Sequence, residues 1–476
     1  MPELTIRTLD NKEQRLDTAA VAGLAASLQG EVLTPATPGY EAARTVWNAM
    51  IDRRPALMAR CTGNDDVIQA VNFARTHGLL TAVRGGGHNI AGHAVCEGGF
   101  IIDLTPMRSV QVDPQTRTAR VGPGATLGEL DHATQAFGLA TPVGINSTTG
   151  IAGLTLGGGF GWLSRKYGMT IDNLLSAEVV TADGRQVHAS NTENDDLFWG
   201  LRGGGGNFGI VTRFEFELHP VGPDMLSGLI VFPFDQAKSV ITQFARFTER
   251  MPDELNVWMI TRKAPPLPFL PEAVHGKEMV ALALCYVGDP TEGEKLIEPL
   301  RGFGTAYGEH IGVQPYTAWQ QAFDPLLTPG ARNYWKSHNF SHLGDGVIDA
   351  IIDYAGRLPS PQCEIFIGTI GGRTARVAPE AMAYSSRDAN YVMNVHSRWE
   401  SPAEDERCIA WAREFFMKSQ PFASSGAYIN FLTQDEVDRT EFAYGATYHR
   451  LMALKQRYDP NNLFRLNQNI PATETA

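Results

Sequence analysis

A chain of 476 residues exceeds one ordinary hydrophobic core and implies two or three structural units. A hydrophobic content of 43% with a mean hydropathy of -0.17 marks a globular protein, and a net charge of -12 spread without basic blocks excludes a nucleic-acid footprint. Met1 to Lys12 carry no apolar leader and no apolar run reaches the roughly 18 residues of a spanning helix. The five cysteines, at 61, 96, 285, 363 and 408, contain no CxxC pair, so no membrane anchor, metal site or disulfide framework is expected and a cytoplasmic location is.

Leu16 to Leu28 reads as a helix. Asn64-Asp65-Asp66 opens another, followed by Val67, Ile68, Val71 and Ala74 and a stop at Gly78. Leu79 to Val83 is then a buried strand that delivers the chain into Arg84, Gly85, Gly86, Gly87, His88 and Asn89. Phe100 to Leu104 and Thr118 to Val121 are strands around an Asp113-Pro114 turn, and Thr126 with Glu129 forms a capping box for a helix ending at Gly138.

Seven glycines crowd the eighteen positions from Gly144 to Gly161, among them Gly150, Gly153, Gly157, Gly158 and Gly159, a density at odds with a helix or strand interior. Backbone held against a flat or extended ligand is the simplest reading. A hairpin about Asp183-Gly184 follows. The G-x-G-x-x-G at 204, 206 and 209 is not a dinucleotide fingerprint, because a helix (Asp195 to Leu201) precedes it and a strand (Ile210 to Leu218) follows it, the reverse of what that fingerprint requires.

Glycine thins out from about 225 to 420. Strands are expected at Leu226 to Phe232, Leu255 to Arg262, Glu278 to Tyr286, Glu364 to Ile370 and Tyr391 to Trp399, with helices at Phe234 to Arg250 and Glu292 to Leu300. This is an inserted α+β unit on a largely antiparallel sheet whose face covers the ligand site. Gly426 to Phe431, a long helix from Val437 to Tyr458 and Asp459 to Ile470 return to the style of the first half. The division expected is 1–220, 221–424 and 425–476.

Glycine loops of this kind bring backbone N–H groups close to a diphosphate, and Arg84 beside one is a candidate for that anion. On the sheet, Asn394, His396 and Arg398 share a face, as do Glu364 and Phe366.

Taken together, Arg84-Gly-Gly-Gly-His88, Gly157-Gly-Gly-Phe-Gly161, Leu197-Phe-Trp-Gly-Leu-Arg-Gly-Gly-Gly-Gly-Asn-Phe-Gly209 and Asp459-Pro-Asn-Asn-Leu-Phe resemble the berberine bridge enzyme-like branch of the vanillyl-alcohol oxidase superfamily, flavoproteins with a PCMH-type FAD domain. The resemblance implies an α+β fold with a two-subdomain FAD-binding domain and an inserted substrate domain. It also implies covalent attachment of the 8α carbon of FAD to His88. Many members add a cysteine bond to flavin C6; here Asn146 stands at that position, so one histidyl link and no 6-S-cysteinyl bond is expected. The other cofactor contacts expected are Thr148, Thr149, Trp162, Ile210, Val211, Asn430, Asn467 and Asn469, with the glycines and Asn89 already named.

The implied reaction is two-electron oxidation of a small alcohol, amine or activated C–H compound, with hydride passing to flavin N5 and O2 reoxidising the flavin to give H2O2. Such a reaction needs a base within hydrogen-bond reach of the substrate. Tyr428, in Tyr428-Ile-Asn-Phe431, is the first candidate, and Phe431 lacks the hydroxyl a second base there would need. His396 and Glu364 are the others. Structural roles stay open for each: His88 as a loop cap, Tyr428 as packing against the cofactor, His396 as a satisfied sheet residue. A carbohydrate oxidase, a dehydrogenase using another acceptor and a non-catalytic flavin carrier are the alternative functions, and a monomer or homodimer is expected.

Overall fold

In the computed structural model, which describes residues 4–424 and 426–473, the strand Phe100–Asp103 lies buried at every position between two parallel neighbours, Leu57–Arg60 and Thr81–Arg84. Parallel strands need a crossover, and helix Asn64–Thr76 supplies it, burying Val67, Ala70, Val71 and Ala74. Asp66 is not a cap. Its buried carboxylate accepts the N–H groups of Gln29, Gly30 and Thr62, and so ties the preceding segment to this helix.

A five-stranded antiparallel sheet follows, in the order Gln186–Ser190, Leu174–Val180, Ile210–Glu217, Thr118–Val121, Val110–Asp113. The Thr126–Glu129 capping box forms at the start of helix Leu127–Gln135, and helix Asp195–Leu201 precedes strand Ile210–Glu217 as the sequence order requires. The reading of 144–161 as wholly non-helical fails at one place: Ile151–Leu156 is a short helix that includes Gly153.

The third sheet has seven antiparallel strands, in the order Gly308–Pro315, Asp224–Pro233, Glu278–Tyr286, Leu255–Lys263, Glu364–Thr369, Tyr391–Trp399, Arg332–Phe340. Alternation sends one set of side chains to each face. Val257, Met259, Ile365, Ile367, Met393 and Val395 pack in one core with Val240, Ile241 and Phe244 of helix Ala237–Thr248, with Val347 and Ile351 of helix Asp345–Ala355, and with Trp411 and Phe415 of helix Asp405–Ser419. The other face turns toward the glycine-rich half.

The tail is not one long helix. It runs as short turns Gln434–Arg439, Thr440–Tyr444 and Gly445–Thr447 before Tyr448–Tyr458, broken where Gly445 takes φ +52. Beyond it, fully buried Lys455 donates to Asp459 at 2.7 Å and to the carbonyls of Asn207 and Phe464. Asp459 in turn accepts the N–H groups of Leu463 and Phe464. The Asp459-Pro-Asn-Asn-Leu-Phe run is therefore a staple that fixes the tail against the loop before Ile210.

Candidate active site

A cavity of about 410 Å³ lies between the glycine-rich half and the free face of the seven-stranded sheet. Its floor comprises Gly85, Gly86, Gly87, His88 and Asn89 after strand Thr81–Arg84, Asn146, Thr149, Gly150 and Gly153 from the second glycine run, and Gly209, Ile210 and Val211 from the third. Tyr428, Asn430 and Asn467 of the tail close one side.

The glycines do two different jobs. An added Cβ on Gly86 would collide with the backbone of Gly150, and one on Gly150 with that of Gly86, so the first two loops touch back to back. A Cβ would meet the side chain of Asn430 at Gly157, those of Met169 and Tyr428 at Gly158, that of Thr170 at Gly159 and the backbone of Val143 at Gly161, and none of these four glycines lines the cavity. The expectation that the whole run faces a ligand is therefore corrected: much of its smallness admits neighbouring side chains, backbone and the tail. At Gly153 and Gly206 an added Cβ would meet no protein atom, and both line the cavity.

Arg84 is also turned elsewhere. Its guanidinium donates to the carbonyls of Ala43 and Thr45 and is not part of the cavity wall. It braces the segment carrying Trp47 rather than facing an anion. Thr148 and Asn469 lie off the cavity as well, the latter with a buried Oδ1 that has no protein partner.

His88 stacks on Trp47 with ring centroids 5.2 Å apart and 21° between planes. Burial lowers its pKa to about 4, so the imidazole is neutral near pH 7. The Tyr428 hydroxyl accepts the N–H of Gly159 at 3.0 Å and Nδ2 of Asn430 at 3.1 Å, while burial raises its pKa to about 12. It is a phenol held in place by two donors.

On the opposite wall the strand registers bring Arg262, Glu364, His396 and Trp335 into one cross-strand row. Arg262 Nη1 donates to Glu364 Oε2 at 2.9 Å, and His396 Nδ1 lies 3.2 Å from Oε1. Burial alone would raise the Glu364 pKa, but Arg262 and the hydrogen bond from His396 hold it below its ordinary value. Burial pulls the His396 pKa down against the pull of Glu364. His396 Nε2 faces Asn333 Oδ1 at 3.1 Å, and that amide is oriented by Asn333 Nδ2 donating to Ala331 O. Both imidazole nitrogens thus look at acceptors. Arg398 does not line the cavity; it donates to Asn333 and Thr328.

Asn394, paired opposite Phe366, adds a buried Oδ1 with no protein partner, and the rest of this wall is apolar. Trp258 stacks parallel on Phe366 at 5.7 Å and packs against Trp162 at 4.6 Å, and Leu229, Val231 and Ile260 complete the surface. Phe431 joins the two walls, edge-on to Tyr428, Phe366 and Trp335. Sequence reasoning did not single out Arg262, Asn333 or Trp47. Arg262 carries no motif, and only its register opposite Glu364 reveals it.

Cavity-facing glycines, a floor of three glycine loops and the unpartnered buried Oδ1 of Asn467 fit an extended cofactor with donors of its own. The class this defines is a flavin-dependent oxidoreductase. Residues 55–190 match the model for an FAD binding domain, and residues 427–471 match the model described as berberine and berberine like. The chain is 32% identical to (R)-6-hydroxynicotine oxidase of Paenarthrobacter nicotinovorans, covering 93% of this chain and 97% of that one. It is 32% identical to an FAD-linked oxidoreductase of Dictyostelium discoideum over 89% and 90% of the two chains. The crystal structure of 6-hydroxy-D-nicotine oxidase from Arthrobacter nicotinovorans superposes with a TM-score of 0.84 at 29% identity, over 94% of this chain and 99% of that one.

The chain therefore belongs to the berberine bridge enzyme-like family of FAD-linked oxidoreductases, and its fold is the PCMH-type α+β fold expected. Among the described residues no helix is long and apolar enough to cross a membrane, and no cluster of three His, Cys, Asp or Glu could hold a metal.

Proposed function

We propose that this enzyme oxidises a small, ring-containing alcohol, amine or activated C–H compound by two electrons, with O2 as acceptor and H2O2 as product. Segments 1–220 and 425–476 hold FAD, and 221–424 receives the substrate. FAD, when bound, supplies the two-electron acceptor. The attachment is through His88 alone: Asn146 stands where a second, cysteinyl bond would need a thiol, and among the described residues no cysteine lines the cavity.

Glu364 takes the substrate proton. Arg262 keeps its carboxylate ionised and holds Oε2, and His396, donating from Nδ1, holds Oε1, so the two fix its direction. Tyr428 is a positioning residue rather than the base, because its oxygen already receives two hydrogen bonds and its phenol stays protonated.

One observation carries the substrate class: polar groups confined to one row and the adjoining Asn394 amide, in a wall otherwise made of stacked aromatics and branched aliphatics. Such a surface leaves the many hydroxyls of an oligosaccharide unpaired, at a cost of about 1–3 kcal/mol each, and suits a flat apolar body with one polar pole. A panel of aromatic and heterocyclic amines and alcohols, run beside cello- and xylo-oligosaccharides, tests it by peroxide formation and flavin bleaching. Turnover of the ring compounds alone is expected, and preferential turnover of oligosaccharides would refute the assignment.

A further inference from the structure

Stacking on Trp47 fixes the plane of the His88 ring and so gives its two nitrogens different neighbours. Nδ1 lies 3.5 Å from Oγ1 of Thr149, a cavity-wall residue. Nε2 lies 2.9 Å from Oγ1 of Thr148, which belongs to a separate surface depression with Thr126, Glu129 and His132.

Heavy-atom positions alone assign the protons here. Asn146 Oδ1 accepts the backbone N–H of Thr148 at 3.0 Å, and Nδ2 points at the carbonyl of Leu327 at 3.5 Å, so the amide has one orientation. Thr148 Oγ1 is 2.7 Å from the same Oδ1. Two oxygens that close need a proton between them, and only the hydroxyl has one to give. The hydroxyl is thereby spent on Asn146, and its remaining lone pair faces Nε2, which must be the N–H nitrogen. In a neutral imidazole that leaves the lone pair on Nδ1, on the side of the cavity wall.

We propose that Asn146 and Thr148 are positioning residues for flavin attachment, holding His88 as the Nε2–H tautomer so that its bond to the 8α carbon of FAD forms at Nδ1. This rests on the reading that His88 carries the flavin. The neutral state that burial imposes on the ring supports it, since a protonated Nδ1 could not attack. In the attachment, one N–C bond forms and one C–H bond at the 8α carbon breaks. The electron pair passes to the flavin ring and from there to O2, and the two protons, one from the 8α carbon and one from Nε2, complete H2O2. As the ring gains positive charge during bond formation, the Nε2–H bond to Thr148 strengthens, so this contact favours the step as well as the geometry. Asn146, at the position of a second flavin-bonding residue in the resemblance, acts on the first one instead.

The test uses the full chain produced under riboflavin limitation, incubated with FAD, and followed by the fraction of yellow colour retained after acid precipitation. Thr148→Val should bind FAD but attach it about tenfold more slowly, the loss of roughly one hydrogen bond at the reacting ring. Asn146→Ala should fall between it and wild type, and Thr148→Ser and Asn146→Asp should restore the rate. NMR of the flavin peptide from the wild-type holoprotein should place the bond at Nδ1. Attachment at Nε2, or wild-type rates in Thr148→Val, overturns the proposal whether or not the other variants fold. Full release of flavin from the wild type overturns the covalent reading itself, a separate outcome.

Discussion

The two walls of the cavity are specified by opposite means. The glycine wall works by absence: Gly86 and Gly150 are small because each other's backbone fills the space, and Gly157 is small because Asn430 does. The sheet wall works by register: Arg262, Glu364 and His396 come from three strands and meet because each is paired opposite the next. Where the glycine loops meet back to back no atom can be added, whereas a wall built from side chains can be altered one function at a time.

That contrast can be broken most severely at the glycine wall. Gly86→Val is expected to abolish FAD incorporation and to lower the yield of folded protein, because its side chain collides with the Gly150 backbone. Flavin content per chain after purification reads this directly, and a fully loaded variant would mean the loops do not meet as described. On the sheet wall, Glu364→Gln should leave flavin content intact while slowing anaerobic flavin reduction by about 10²- to 10⁴-fold, the range for a positioned base.

Lys455→Met probes the staple behind the glycine wall. Leaving Asp459 buried without its cation should cost about 3–5 kcal/mol, seen as a lower Tm without a change in the spectrum of the flavin that remains. Tyr428→Phe removes an acceptor for Gly159 and Asn430. A loss of tenfold or less in reduction rate is expected, from about 1 kcal/mol for a net hydrogen bond. A loss as large as that of Glu364→Gln would return the role of base to Tyr428.

The smallest effect is on the pH profile. Glu364 is held below its ordinary value of 4.5, so its carboxylate form persists on acidification, and the rate should stay flat through that value and fall only beneath it. Arg262→Met removes the guanidinium while burial remains, so the acid limb should move upward. An unmoved limb would detach Arg262 from the proton transfer.

What could be read from sequence follows the same division. The glycine runs and the strands Glu278–Tyr286 and Tyr391–Trp399 are legible because composition and alternation are local properties. Strand Arg332–Phe340 escaped notice: Ser337, His338 and Asn339 are buried polar residues, so the stretch lacks the apolar pattern of a core strand. The unbroken helix expected over 437–458 failed because Gly445, with its positive φ, lies between residues of good helical pattern. Glu364 and His396 could be named singly, but their pairing, and Arg262 beside them, depends on which strands are neighbours. The hydrogen bonds of Arg84 to Ala43 and Thr45 are equally non-local, so proximity to glycines misled.

The most direct test of the two-walled site is a crystal structure of the FAD-loaded protein. Continuous density from the His88 imidazole to the isoalloxazine, with one face of the ring open toward Glu364 and His396, is the result predicted. A flavin ring lying away from His88, or shielded from the Arg262–Glu364–His396 row by protein, would contradict it.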